Sequence, residues 1–124
     1  MEESAAQVLD LTALAARAAA DGVSGPAWSL SSADLNLNLL RFSAGDGVAA
    51  HVNAEVDVIG VVVAGEGVLV LDDREEPLHT GALFFIPKGA RRALRAVGGD
   101  LAYLSAHRRR AGLMPTPRGT HTAP

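Results

Sequence analysis

Between Pro26 and about Arg109, short apolar segments alternate with Gly, Asp and Pro at intervals of about 8–12 residues, and that punctuation restricts the fold more than any other feature. Leu35, Leu37 and Leu39 alternate with Asn36 and Asn38, a period-two strand with one wet face. The leucine stripe suits either a core or an interface. Val56 to Ala64 is rich in β-branched residues and is bounded by Gly65–Glu66–Gly67, after which Val68–Leu69–Val70–Leu71 follows at once. This predicts a hairpin with its turn at the two glycines. Asp72–Asp73–Arg74–Glu75 makes the next turn, Leu83–Phe84–Phe85–Ile86 a buried strand, and Leu101 to His107 a last one. About eight short strands in this order predict an all-β sandwich or barrel rather than a parallel α/β sheet.

The two ends read differently. Residues 5–20 are rich in Ala and Leu and lack Gly and Pro, which favours helix; Val8, Leu11, Leu14 and Ala15 recur at helical spacing, and Asp21–Gly22 is a stop. Val8–Leu11 also suits a short strand leading into a helix capped at Thr12. Residues 111–124 hold Pro115, Pro117, Gly119 and Pro124 with little apolar content and read as a flexible tail in which His121 is solvated. The expected organisation is a helical appendage over 1–25, a barrel over 26–110 and the tail.

Composition removes several function classes. The 124 residues include no cysteine, which excludes a disulfide framework, a thiolate zinc site, an iron–sulfur cluster and a cysteine nucleophile. No apolar run is long enough to span a bilayer as a helix, and the acidic start Met1–Glu2–Glu3 is unlike a secretory signal, so the expected location is the cytoplasm, without membrane association. Residues 1–87 carry a net charge of −10 and residues 88–124 a net charge of +7. The bases are spread over strands, apart from Arg108–Arg109–Arg110, and aromatic residues are 4% of the chain, so stacking platforms for nucleic acid are missing. There is no phosphate loop with a following Lys and no Gly-x-Ser-x-Gly elbow; Ser105 and His107, two apart on one strand, do not by themselves set a nucleophile against its base. The prevalence of Arg over the single Lys88, with abundant Ala, reads as the codon bias of a GC-rich, bacterial genome.

Two spacings carry a resemblance. The first runs Gly45, five residues, His51, one residue, Asn53, three residues, Asp57, and then Gly65–Glu66–Gly67; the second runs Gly81, five residues, Pro87, one residue, Gly89, two residues, Arg92. Together they resemble the paired motifs of the cupin superfamily, over roughly residues 30–108. The resemblance implies a double-stranded β-helix, or jelly-roll barrel, of the RmlC-like kind, with a short N-terminal helical segment and assembly as a homodimer. In that family two His and a Glu in the first motif and a third His in the second hold a divalent metal. Position by position, only the first His is kept here, as His51; Asn53 stands at the second His, Val58 at the Glu with Asp57 one residue away, Arg92 at the third His, and Ala96 at a position often taken by Asn.

Three or four imidazole, thiolate or carboxylate donors make a stable transition-metal site, and this set falls short. A guanidinium about 4 Å from a divalent ion repels it by about 8 kcal/mol at an effective dielectric near 20. That offsets most of the ~10–16 kcal/mol a structural zinc site supplies. The expectation is therefore no resident cofactor, and at most a weakly bound divalent ion. His51, Asn53, Glu55 and Asp57 share strand parity, so an unbroken strand puts four polar groups on one face, with Arg92 as a fork donor to Asp57 or Glu55. His107 shares parity with Tyr103 and Ser105 and reads as a pocket or rim residue. Trp28 and Tyr103 are core candidates, His79 faces solvent in a turn, and Arg91 and Arg95 lie on the surface. His51, Asn53, Glu55, Asp57, Arg92 and His107 are the expected ligand-binding set for a small, anionic molecule. The alternatives are a plugged, structural interior, or a cupin-type isomerase, epimerase or metal-dependent dioxygenase using His51 and His107.

Overall fold

The structure, a computed structural model, describes residues 5–109. The expected tail over 111–124 lies outside the described residues. The elements are one helix, α1 (Leu11–Ala20), and seven strands: β1 (Gly25–Ser31), β2 (Leu35–Phe42), β3 (Gly47–Val52), β4 (Val58–Leu71), β5 (Arg74–His79), β6 (Leu83–Ile86) and β7 (Arg91–Arg108). The jelly-roll expectation holds, with the helix at the N-terminal end. No helix among the described residues is long and apolar enough to cross a membrane.

The helix begins later than propensity suggests because Asp10, not Thr12, caps it: its carboxylate accepts the Ala13 amide at 3.0 Å. Val8 stands in solvent, outside the helix. The stop at Asp21–Gly22 is as read from sequence, with Gly22 at φ +68°. Only Ala15 and Ala18 of α1 are fully buried, so small side chains bring the helix down on the sheet.

The sheet is built around one long antiparallel ribbon. β4 pairs with β7 from Ile59↔Ala106 through to Leu71↔Arg92, and β2, β3, β5 and β6 pair with one or other of these two strands, while β1 adds to β2. This corrects the sequence reading of Gly65–Glu66–Gly67. Those residues are no hairpin turn but an irregularity within a single strand, where the register against β7 shifts. The two runs on either side pair with the same partner strand instead of with each other, which is why there are seven strands and not eight. The glycines are required by close backbone approach. Gly65 sits at φ +92°, and a Cβ there would lie 1.9 Å from the Asp100 carbonyl oxygen; at Gly67 it would lie 2.6 Å from that of Arg95. The true reversal comes at Asp72–Asp73, a two-residue turn with Asp72 at φ 56° that pairs Leu71 with Arg74.

Register divides the side chains into two faces. Leu40, Phe42, Val58, Val62, Leu69, Phe84, Ile86, Leu94, Leu101 and Tyr103 fill the interior. The leucine stripe of β2 lies on the opposite, outer face, where Leu39 is fully buried and Leu35 remains half exposed. Two apolar rows cross that face from strand to strand, Leu30–Leu37–Ala106–Ile59–Phe85 and Trp28–Leu39–Leu104–Val61–Leu83. Ile59, Leu83 and Phe85 are exposed.

The ribbon's dependence on Gly65 gives a direct test. Gly65→Ala is expected to lower stability by about 2–4 kcal/mol, from steric conflict added to a strained φ. Gly81→Ala, at φ +91° but with no atom within 4 Å of the new Cβ, should cost about 1–2 kcal/mol. Urea unfolding of the two variants measures the difference.

Candidate functional site

The first motif does not continue as a strand past Val52, and this overturns the expectation that His51, Asn53, Glu55 and Asp57 share one face. Residues 53–57 form a loop because Asn53 folds its side chain back on the backbone. Its Oδ1 accepts the amides of Glu55 at 2.8 Å and Val56 at 3.4 Å, and its carbonyl accepts the Gly89 amide at 2.7 Å. Val56 is thereby driven into the core, 1% exposed. Asp57 spends one carboxylate oxygen on the Lys88 amide at 2.9 Å, tying the first motif to the Pro87–Gly89 turn of the second. Glu55 and Asp57 are both exposed. Asn53 and Asp57 shape the loop, and the parity argument fails at the Asx turn.

His51 and Arg92 do come together. They are register partners on β3 and β7, and Arg92 Nε donates to His51 Nε2 at 3.2 Å. His51 Nδ1 lies 2.9 Å from the Ala49 carbonyl oxygen, which can only accept, so Nδ1 carries the proton and Nε2 the lone pair. The lone pair that would face a metal ion thus faces a guanidinium. Val58 at the Glu position and Ala96 are each 1% exposed and part of the apolar interior, and the described residues contain no cluster of three or more His, Asp or Glu able to hold an ion. The residues present do not fit a metal centre.

Arg92 is 2% exposed, and its charge reaches Tyr103 in the far half of β7. Burial pushes the Tyr103 hydroxyl far above its usual range, and the positive charge of Arg92 opposes that rise. The Tyr103 ring stacks on Phe42 with centroids 6.4 Å apart and meets the edge of Phe84 at 5.8 Å, which fixes where its hydroxyl can point. Ser105 and His107 follow at the same parity, both buried, and His107 Nδ1 donates to the Arg108 carbonyl at 2.9 Å. His107 therefore belongs to the inner face rather than the rim. The Tyr103 hydroxyl and Ser105 Oγ have no hydrogen-bond partner among the described residues. Each such buried group costs about 1–3 kcal/mol.

Sequence reasoning misses part of this wall. From sequence, Ser105 reads only as a nucleophile to be rejected, and Asn36 and Asn38 only as a wet face. The register places Asn36 opposite His107 and Asn38 opposite Ser105, on the inner side. The parity of 103, 105 and 107 is the available signal; which way β2 faces has none. Of the remaining expectations, Tyr103 is core, Trp28 is half-buried, and His79, Arg91 and Arg95 are exposed. Arg41 is a buried cation that sequence reading does not single out. It sits on the outer face, pairs with Asp100, donates to the Val23 carbonyl at 3.0 Å, and lines a cavity of about 280 Å³ under α1 together with Ala15, Ala19 and Ala102.

Solved structures share the fold at low identity. BH2720 from Bacillus halodurans superposes with a TM-score of 0.72 at 18% identity, covering 92% of this chain and 86% of that one. TT1209 from Thermus thermophilus gives 0.66 at 21%, covering 82% and 95%. KdgF from a Halomonas species gives 0.63 at 23%, covering 68% and 78%. No functionally curated protein matches the chain. The family profile described as cupin domain matches residues 38–107, a span that holds His51, Arg92, Tyr103, Ser105 and His107 together. With both motifs, the bent ribbon and this match in agreement, the chain belongs to the cupin family.

Proposed function

We propose that this cupin binds a small anionic molecule inside its barrel, against Arg92, Tyr103 and Ser105, without a resident metal. The observation that carries the reading is the pair of buried hydroxyls on β7, Tyr103 and Ser105, which lack partners among the described residues and lie on the inner face with a guanidinium whose charge Tyr103 feels. Apolar packing alone selects Phe and Ala at such positions, whereas a bound oxyanion supplies the acceptors both hydroxyls want. His51 takes a supporting part. It accepts from Arg92 Nε and so helps to hold the guanidinium in place. Of the other residues expected in the ligand set, Asn53 and Asp57 shape the adjoining loop and Glu55 is exposed on it.

Two experiments address this reading. In a thermal-shift screen of small organic acids, a carboxylate at 100 times its Kd should stabilise the protein by about 2.7 kcal/mol. The response should survive a chelator and disappear in Arg92→Met. A response that a chelator abolishes would return the site to metal chemistry. Separately, Tyr103→Phe and Ser105→Ala should each leave the ligand-free protein as stable as before or more stable by about 1 kcal/mol, while weakening the acid. Loss of stability in both would mean that the hydroxyls already have internal partners.

We also infer that a second copy of the chain covers the exposed parts of the two apolar rows of the outer face, around Ile59, Leu83 and Phe85. The ten positions of the rows carry no charge, so the face is complementary to itself about a two-fold axis and sheet can pack on sheet. Phe85→Glu, exposed at the end of one row, should convert a dimer to monomer in light scattering while leaving the acid response intact. A wild-type monomer at high concentration would remove this inference alone.

A further inference from the structure

The mouth of the barrel carries a second layer of polar groups that a simple anion does not use. We propose that the ligand is a polyhydroxylated carboxylate of sugar size, its hydroxyls read by Asn36 and Asn38; this deepens the anion-binding reading and rests on it. Asn36 and Asn38 sit on the inner face of β2, two residues apart, with His107 and Ser105 as their neighbours on β7. On the other side each meets a serine of β1. Ser31 Oγ donates to Asn36 Oδ1, and Ser29 Oγ donates to Asn38 Oδ1 at 2.7 Å. The two serines consume the amide oxygens on the β1 side. That leaves both Nδ2 groups as donors without a partner among the described residues, so the repeat Ser-x-Ser against Asn-x-Asn presents two donors side by side on this face.

The spacing sets the size of what they recognise. Same-face positions along one strand are about 6.7 Å apart, and cross-strand neighbours about 5 Å, so the two amides and Ser105 span a chain of roughly four to six carbons. The wall is rich in donors, and Ser105 Oγ can both donate and accept, which matches hydroxyl and carbonyl oxygens rather than hydrocarbon. Gly60, the register partner of Ser105 on β4, leaves a space that the Phe84 ring fills. A Cβ there would lie 2.1 Å from the tip of the Phe84 ring, so the ring packs directly on the glycine and gives this wall an apolar neighbour. A carboxylate at Arg92 and Tyr103, hydroxyls along Ser105, Asn38 and Asn36, and the C–H faces of the carbon chain against Phe84 use these groups, with His107 opposite Asn36 at the same end of the wall.

Calorimetry on the full chain with matched probes tests the assignment: D-gluconate, hexanoate of the same carbon length without hydroxyls, sorbitol without the carboxylate, and glucose 6-phosphate. Gluconate is expected to bind at least about tenfold more tightly than hexanoate, because a site built to hydrogen-bond hydroxyls discriminates against analogues that lack them. Sorbitol should bind weakly if at all. Asn38→Leu and Asn36→Leu should abolish that tenfold preference, weakening gluconate at least tenfold more than hexanoate, and Ser29→Ala with Ser31→Ala, which keep the amides but free their rotation, should reduce it. Equal affinity for gluconate and hexanoate, or a preference that survives all four substitutions, overturns the hydroxyl assignment and spares the anion pocket. Tighter binding of glucose 6-phosphate overturns the carboxylate. If no acid binds and Arg92→Met changes nothing, the anion pocket itself fails, and this inference with it.

Discussion

The fold depends on keeping two long strands paired through a bend. β4 and β7 hold fourteen and eighteen residues, far beyond the usual strand, and a ribbon of that length stays flat only at the cost of exposing one of its faces. Gly65 and Gly67 let the backbones close to contact against Arg95 and Asp100 where the register shifts, and Gly98 at φ +80° serves the other strand. Across that irregularity the Arg92 and Tyr103 positions of β7 come close enough for the Arg92 charge to act on Tyr103. The site is a consequence: its two sides are one strand, separated in sequence by little more than the bend.

A guanidinium in such an interior governs the polar groups around it. Burying a charge is expensive unless hydrogen bonds meet it, and the bond to His51 does so while fixing the imidazole as the Nδ1-protonated tautomer. The same bond occupies the ring nitrogen that the family resemblance assigns to a metal. Substitution of the third His by Arg therefore does more than delete one ligand. It sets the remaining His against a fixed positive group, to which Nε2 offers its lone pair, where the resemblance implies a ligand to a cation.

Much of the fold is legible in the sequence because turn chemistry and periodicity are local. The Asp72–Asp73 reversal, the stop at Gly22 and the inward parity of Tyr103, Ser105 and His107 all follow from short stretches of residues. What is not legible depends on partners. Gly65–Glu66–Gly67 looks the same as a turn or as a bend in a strand until β7 is known to run past both sides of it. The strand parity of residues 51–57 is defeated by Asn53, whose side chain competes with the sheet for the amides of Glu55 and Val56. Alternation puts Asn36 and Asn38 on one face, but alone it does not say which face is solvent. Here the leucines face outward and the amides inward.

That inversion bears on whether the interior is merely plugged. A plug evolved for stability would place the three leucines of β2 inside and the asparagines outside, and would fill the Tyr103 and Ser105 positions without hydroxyls. The chain does the reverse, leaving Ile59, Leu83 and Phe85 in the open on one face while burying polar atoms on the other. Each choice is unfavourable for an isolated, empty domain. Both become favourable together if the outer face meets a partner of its own kind and the inner face meets a ligand with oxygens to share, and the single sheet that carries the two faces makes them one design rather than two coincidences.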